Sequence, residues 1–270
     1  VNSVDAVIVR NRTQVNAALL AAAPRLRVVG RLVVGLDNID LAACEARGVT
    51  VIPATGANAR AVAEYVIGSM LILRRQAFAA SLSVAQGLWP RLQYSNGAEL
   101  EGSLLGLIGF GAIGRLVCDL VRALGLRVIA YDPALPESDP AFSRHGALRC
   151  ADIEDLLRQA DIVSLHVPLN TSTHHLINAH RLSLMKPSAV LINTARGGIV
   201  DEVALIDALR AKTLGGAALD VFENEPLPAG RIPTDLSQLI LTPHIAGLTQ
   251  QANTRVSSLI AERVAAALDS

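Results

Sequence analysis

The sequence predicts an α/β fold built from two doubly wound parallel-sheet domains. Three observations carry that prediction. Short β-branched runs alternate with helical stretches along most of the 270 residues, a glycine-rich turn joins one such run to a helix, and residues suited to acid–base chemistry recur just after later runs. The length suits two domains and is short for three. With 51% hydrophobic and 18% charged residues, the chain has the means to bury real cores and lacks the profile of a disordered one. Lys+Arg and Asp+Glu are both 24, so net charge gives no reason to expect nucleic acid or an acidic membrane as partner. The three cysteines, Cys44, Cys118 and Cys150, show no metal-ligand spacing. No metal is expected, and a reduced, cytoplasmic setting is. The longest apolar stretch, Ala61 to Leu73, contains Glu64 and falls short of the about 20 residues that cross a bilayer.

Taken in order, Asp5–Arg10, Leu26–Gly30 and Val49–Pro53 read as strands, with helical composition at Val15–Ala23 and Leu41–Arg47 between them. Three strands are few for a doubly wound domain, and the chain opens at Val1. The reading therefore expects one or two N-terminal βα units of the natural protein to lie outside this sequence. Apolar residues at helical spacing (Val62, Tyr65, Val66, Met70, Leu73) predict a helix over 58–75, and a second helical run covers 77–88. A polar segment over 93–102 leads into the second alternation. Leu104–Ile108 is a strand, Ala112–Leu124 a helix, Arg127–Asp132 a strand and Pro133–Pro140 a loop with three prolines. Further strands are expected at Ile162–Val167, Ala189–Asn193, Gly216–Leu219 and Leu239–Leu241. The last stretch, Thr249–Asp269, carries Val256, Leu259, Ile260 and Val264 on a helical face, which predicts packing against the first domain. The domains are expected at 1–72 with 248–270, and at 73–247.

Gly109-Phe110-Gly111-Ala112-Ile113-Gly114 follows a strand and opens a helix, the context that turns a common glycine pattern into a dinucleotide fingerprint. Gly109 makes the tight turn, Gly111 lets a pyrophosphate approach the backbone, and Gly114 allows close helix-to-strand packing. The helix N-terminus at Ala112 and Ile113 offers N–H groups to the phosphates. Asp132 ends the next strand, where its carboxylate can accept from ribose hydroxyls and repel a 2′-phosphate. NAD is expected rather than NADP. Asp132 also precedes Pro133 and can start a turn, and both roles can hold together.

Three further segments fall where predicted strands end: Asn193-Thr194-Ala195-Arg196-Gly197-Gly198, Asp220-Val221-Phe222-Glu223-Asn224-Glu225-Pro226, and Leu241-Thr242-Pro243-His244-Ile245-Ala246-Gly247. With Val34-Gly35-Leu36-Asp37-Asn38-Ile39-Asp40 and Asn58-Ala59-Arg60-Ala61-Val62-Ala63-Glu64, they resemble the D-isomer-specific 2-hydroxyacid dehydrogenases over nearly the whole chain. The resemblance implies a Rossmann NAD-binding domain, a smaller, discontinuous, flavodoxin-like substrate domain, and hydride transfer between NAD(H) and a D-2-hydroxy or 2-keto acid. Arg196 would hold the substrate carboxylate with its planar fork. His244 would move the hydroxyl proton, with Glu225 fixing its tautomer through the other ring nitrogen. Asp220 would contact the nicotinamide amide, Thr194 and Ala195 would line the cofactor, and Val167 and Pro168 would wall the adenine. The backbone around Val34 and Gly35 would bind the substrate carboxylate. A homodimer through the helices of 58–88 is also implied.

An isolated arginine beside glycines, or a glutamate before proline, is ordinarily a solvated loop residue; their joint occurrence downstream of a dinucleotide fold is what gives them weight. The other histidines, His145, His166, His174, His175 and His180, are expected to lack such a carboxylate partner, and His166 to be structural. Val33 stands where the family often has a small residue, which bears on the substrate. If Arg10 and Arg31, near that loop, face the cleft, the substrate carries a second anion, as 3-phosphoglycerate and sulfolactate do. The alternative of another class is an NAD-sensing protein like the corepressors that share this fold. Formate or phosphite oxidation is disfavoured, because formate enzymes pair the histidine with glutamine where this chain has Glu225.

Overall fold

The computed structural model describes residues 3–10 and 12–269. Contacts divide the chain into one unit of Val1–Ala61 with Gly247–Ser270 and another of Val62–Ala246. The divisions at 61/62 and 246/247 compare with the expected 72/73 and 247/248; Val1, Asn2 and Ser270, inside the expected bounds, lie outside the described residues.

Along the chain come β1 (Ala6–Val9), α1 (Ala17–Ala22), β2 (Val28–Arg31), α2 (Leu41–Ala46), β3 (Thr50–Pro53) and α3 (Ala59–Arg75). A 3₁₀ turn (Ala77–Ala80) and α4 (Ser81–Ala85) follow, then β4 (Leu104–Ile108), α5 (Ala112–Arg122), β5 (Arg127–Tyr131), α6 (Pro140–His145), β6 (Leu148–Arg149) and α7 (Ile153–Gln159). The rest are β7 (Ile162–Leu165), α8 (Ala179–Leu184), β8 (Val190–Asn193), α9 (Glu202–Arg210), β9 (Gly216–Leu219), β10 (Leu239–Leu241) and α10 (Gln250–Asp269). Among the described residues no helix is long and apolar enough to cross a membrane.

The first unit holds a three-stranded parallel sheet in the order β1-β2-β3. Its connecting helices start on side-chain caps: Asn16 accepts from Leu19 N–H at 3.1 Å and Asp40 from Ala43 N–H at 2.9 Å. Alternation along β2 sends Val29 toward Val9, Leu20 and Cys44, and Val28 toward Val256, Ile260 and Val264 of α10. The C-terminal helix packs on this sheet as its apolar spacing predicts. Gly30 lets it come close, since a Cβ there would lie 2.7 Å from Ile260 Cγ2 and 2.8 Å from Val264 Cγ2. Those methyls sit on β-branched side chains with little freedom to yield. Gly30→Ala is expected to destabilise this unit by about 1–3 kcal/mol, the usual cost of overpacking. A denaturant titration followed by circular dichroism measures it.

The second unit is a seven-stranded parallel sheet ordered β10-β9-β8-β7-β4-β5-β6. Strands are added on one side of β4 as far as β6 and on its other side from β7 on, and open α/β sheets bind ligands outside the carboxyl ends of strands at such a switch in order. Helices cover both faces. Leu105, Leu107, Phe110, Val117 and Val121 pack on one side, and Ile108, Leu156, Leu165, Leu191 and Leu205 on the other. The residues read as a proline-bearing loop differ in part. Asp139 caps α6, accepting from Ala141 N–H at 2.8 Å, with Pro140 in the first turn, where its missing N–H costs nothing. The strand β6, with only two residues, carries no periodicity to read.

Candidate active site

The second unit places its chemistry-bearing residues one after another on the turns that leave strand carboxyl ends. After β4, Gly109 takes φ +96°, and a Cβ on it would lie 2.5 Å from the His166 carbonyl oxygen. A Cβ on Gly114 would meet the Gly109 carbonyl oxygen at 2.4 Å, so α5 packs against the turn as closely as backbone allows. A Cβ on Gly111 would meet nothing within 4 Å. Gly111 is also the N-cap of α5 and brings no capping side chain. An open, uncapped helix start beginning at Ala112 and Ile113 is the cradle a pyrophosphate needs.

Asp132, just past β5, does two jobs. Its Oδ2 accepts the Phe110 N–H at 2.8 Å, bracing the glycine turn, and its Oδ1 accepts the Ala134 N–H at 3.0 Å. Each oxygen keeps a lone pair for a hydroxyl donor. After β7, Val167 comes within 3.0 Å of the Gly109 Cβ position and Pro168 follows it, exposed. His166 bonds Ser164 Oγ through Nε2 at 3.0 Å, and burial pulls its pKa down to about 4, so it stays neutral near pH 7. After β8, Thr194 Oγ1 is buried with no hydrogen-bond partner in the protein, an orphan that a bound polar group would satisfy. These residues fit a dinucleotide.

Arg196 sits on a turn shaped by Asn193, a buried residue that the sequence reading passed over. Asn193 Oδ1 accepts from Ala195 N–H at 3.0 Å and Nδ2 donates to Arg196 O at 2.9 Å. The guanidinium itself donates from Nη1 to Ala195 O at 2.7 Å. Gly197 fixes this turn against the next one, because a Cβ there would sit 1.8 Å from the Phe222 carbonyl oxygen. Its place beside Gly198 was the available signal.

His244 Nδ1 and Glu225 Oε2 are 2.7 Å apart. Glu225 Oε1 accepts the Phe222 N–H at 3.0 Å, so both its oxygens are held. A carboxylate only accepts, which puts the proton on Nδ1 and leaves Nε2 of a neutral ring with its lone pair. The pair is partly exposed, with 43% and 36% of the two side chains accessible. His244 takes φ +55°, and the loop carrying it is tied to Asp220, which is 1% exposed. Asp220 Oδ1 accepts from Thr242 Oγ1 at 2.6 Å and Ile245 N–H at 2.8 Å, Oδ2 from Ala246 N–H at 2.7 Å, and its carbonyl from His244 N–H at 2.8 Å. Asp220 thus organises the histidine loop, a role the sequence reading did not give it.

One expectation needs correction. Three of the other histidines do have carboxylate partners: His145 with Asp119 at 2.8 Å, His175 with Glu223 at 3.0 Å and His180 with Glu154 at 3.4 Å. Those partners are remote in sequence, and only the fold brings them together. Arg31 lies at the Val34–Gly35 loop. It is buried at 3% exposure and its Nε donates to Gly35 O at 2.9 Å, so it braces the Val34–Gly35 loop within the first unit. Val34 in that loop is 39% exposed. Among the described residues no three His, Cys, Asp or Glu side chains gather as a metal-ligand group.

Comparison with known proteins agrees with this architecture. Residues 67–246 match the family model described as the D-isomer specific 2-hydroxyacid dehydrogenase, NAD binding domain. The chain is 50% identical to (S)-sulfolactate dehydrogenase of Chromohalobacter salexigens over 98% of its own length and 85% of that protein's. It is 41% identical to D-3-phosphoglycerate dehydrogenase of Mycobacterium leprae over 98% of its length, and spans 49% of that longer protein. Its fold matches the crystal structure of a glyoxylate reductase from Paecilomyes thermophila with a TM-score of 0.87 at 30% identity, covering 98% of this chain and 81% of that one. The chain belongs to the D-isomer-specific 2-hydroxyacid dehydrogenases, NAD-dependent oxidoreductases that interconvert D-2-hydroxy and 2-keto acids.

Proposed function

We propose that this chain acts on a small 2-hydroxy or 2-keto acid bearing a second anionic group, with Arg196, Glu225 and His244 as its catalytic residues. The observation that carries the reading is the 2.7 Å contact of His244 Nδ1 with Glu225, which leaves Nε2 for the substrate. In reduction, Nε2–H donates its proton to the substrate carbonyl oxygen; in oxidation, Nε2 takes the hydroxyl proton back. The negative Glu225 steadies the ring in its protonated form and keeps it in one orientation. Arg196 binds the carboxylate next to the reacting carbon. Gly109, Gly111, Ala112, Ile113, Gly114, Asp132, Val167, Pro168, Thr194, Ala195 and Asp220 form the cofactor side of the site, with Asp132 selecting NAD over NADP. The chemistry NAD(H) supplies when bound is the hydride, given in reduction and accepted in oxidation.

The second anion is supported by the two relatives named above, whose printed substrates carry a sulfonate and a phosphate. Arg31, whose Nε holds the Gly35 carbonyl, and the exposed Arg10 are the cations proposed for that group. A homodimer is supported by the run of exposed apolar side chains Phe78, Leu82, Leu88, Trp89 and Leu92, which a partner surface would cover. The free thiols of Cys44, Cys118 and Cys150 suit a reduced cytoplasm. The test is NADH oxidation with hydroxypyruvate, glyoxylate, phosphohydroxypyruvate and sulfopyruvate. One of the two keto acids with a second anionic group is expected to exceed glyoxylate in kcat/KM by at least about tenfold, the worth of one added charge contact. Equal turnover of glyoxylate removes the second anion, and tight NADH binding without turnover of any keto acid favours the sensing protein.

A further inference from the structure

A short row of part-buried polar contacts stands behind the His244 loop. Tyr65, on α3, has its hydroxyl 2.6 Å from Thr242 Oγ1, and Thr242 Oγ1 donates to Asp220 Oδ1 at 2.6 Å. The proton directions are fixed by the last member. A carboxylate only accepts, so the Thr242 hydroxyl spends its one proton on Asp220, and Tyr65 must be the donor to Thr242. Burial raises the Tyr65 pKa, with the Asp220 charge adding to the shift and hydrogen bonds to Thr242 and Ser69 opposing it. The phenol therefore keeps the proton it donates.

The row has a defined output. Asp220 receives the N–H groups of Ile245 and Ala246 on its carboxylate and that of His244 on its carbonyl. His244 sits between them at φ +55°, a conformation that a residue with a Cβ holds only when its surroundings impose it. The chain also passes between its two units at Ala61–Val62 and Ala246–Gly247. Tyr65 lies about one helical turn past the first passage, and Ala246 is the last residue before the second. Through Thr242 on one side and the Ala246 N–H on the other, the Asp220 carboxylate connects with both stretches within the second unit.

We propose that Tyr65 and Thr242 are positioning residues for His244, acting through Asp220 to hold the histidine loop in the conformation that pairs His244 with Glu225. This rests on the reading of His244 as the acid–base group. Tyr65→Phe removes one oxygen and keeps the ring; Thr242→Val removes the hydroxyl at nearly constant shape; Thr242→Ser keeps it. Tyr65→Phe and Thr242→Val are each expected to lower kcat about tenfold with the NADH dissociation constant within about twofold, Thr242→Ser to stay near the parent, and the double variant to be no slower than the slower single one. Amide exchange at Ile245 and Ala246, followed by NMR on the unliganded chain, is expected to quicken about tenfold in both hydroxyl-less variants and needs no substrate.

Unchanged exchange overturns the proposal. So does kcat within about twofold of the parent in both variants, or a loss of NADH binding that matches the loss of turnover. His244→Ala, measured in parallel, separates the two readings. If it turns over normally, the acid–base reading fails; if it is inactive while Tyr65→Phe is normal and exchanges normally, only the relay fails.

Discussion

His244→Ala is expected to lower kcat by about 10²–10⁴-fold, the range that a positioned general acid or base contributes. The argument is geometric. Glu225 accepts the Nδ1 hydrogen bond at 2.7 Å and is itself held by the Phe222 N–H, so the imidazole has one orientation and one nitrogen left to work with. Truncation removes that nitrogen and leaves the Asp220 scaffold, whose contacts on residues 244–246 are to backbone N–H groups. NADH binding, read by fluorescence titration, is expected to stay within about threefold of the parent, because only a transition-state interaction is lost. A fall in NADH affinity equal to the fall in kcat would move His244 from acid–base chemistry to cofactor binding.

Gly197→Ala is expected to be nearly as damaging, for a different reason. A Cβ at this position would lie 1.8 Å from the Phe222 oxygen and 2.7 Å from the Glu223 nitrogen, both backbone atoms that cannot rotate away. One of the two turns must move. The first carries Arg196 and the second leads to Glu225, whose Oε1 is bonded to Phe222 N–H, so either movement separates groups proposed to act together. Displacement on the ångström scale costs about 10²-fold in turnover, and the overpacking costs about 1–3 kcal/mol of stability or more. Steady-state kinetics and a thermal melt check the two parts. Gly198, at φ +77° with no atom closer than 3.7 Å to its Cβ position, gives a contrast: alanine there strains the backbone without the collision.

Much of this was legible in the amino-acid order, because the features concerned are local. β-Branched runs bounded by turns gave the strands, and the Gly109–Gly114 turn with Asp132 carries the proposed cofactor side. Motifs at strand ends gave Arg196, Glu225 and His244, two of which the structure brings to 2.7 Å. What escaped is long-range or too short to have a period. The strand β6 is two residues long, and Pro140 marks a helix start where a run of prolines suggests only loop. The carboxylate partners of His145 and His175 lie 26 and 48 positions away. Tyr65 and Thr242, 177 positions apart, look like an ordinary member of an amphipathic helix and a residue before proline. Arg31 reads as a cation at a strand end, and only the packed unit shows its Nε bound to Gly35.

The most direct test of the account is label transfer. The full chain is incubated with NADH carrying deuterium at the transferring position of the nicotinamide and with the best keto acid of the panel, and the product is examined by NMR. One deuterium at C2 of a single enantiomer of the 2-hydroxy acid, formed by the parent chain and lost in His244→Ala, is the predicted result. Product without deuterium at C2, or formed at the same rate by His244→Ala, would contradict it.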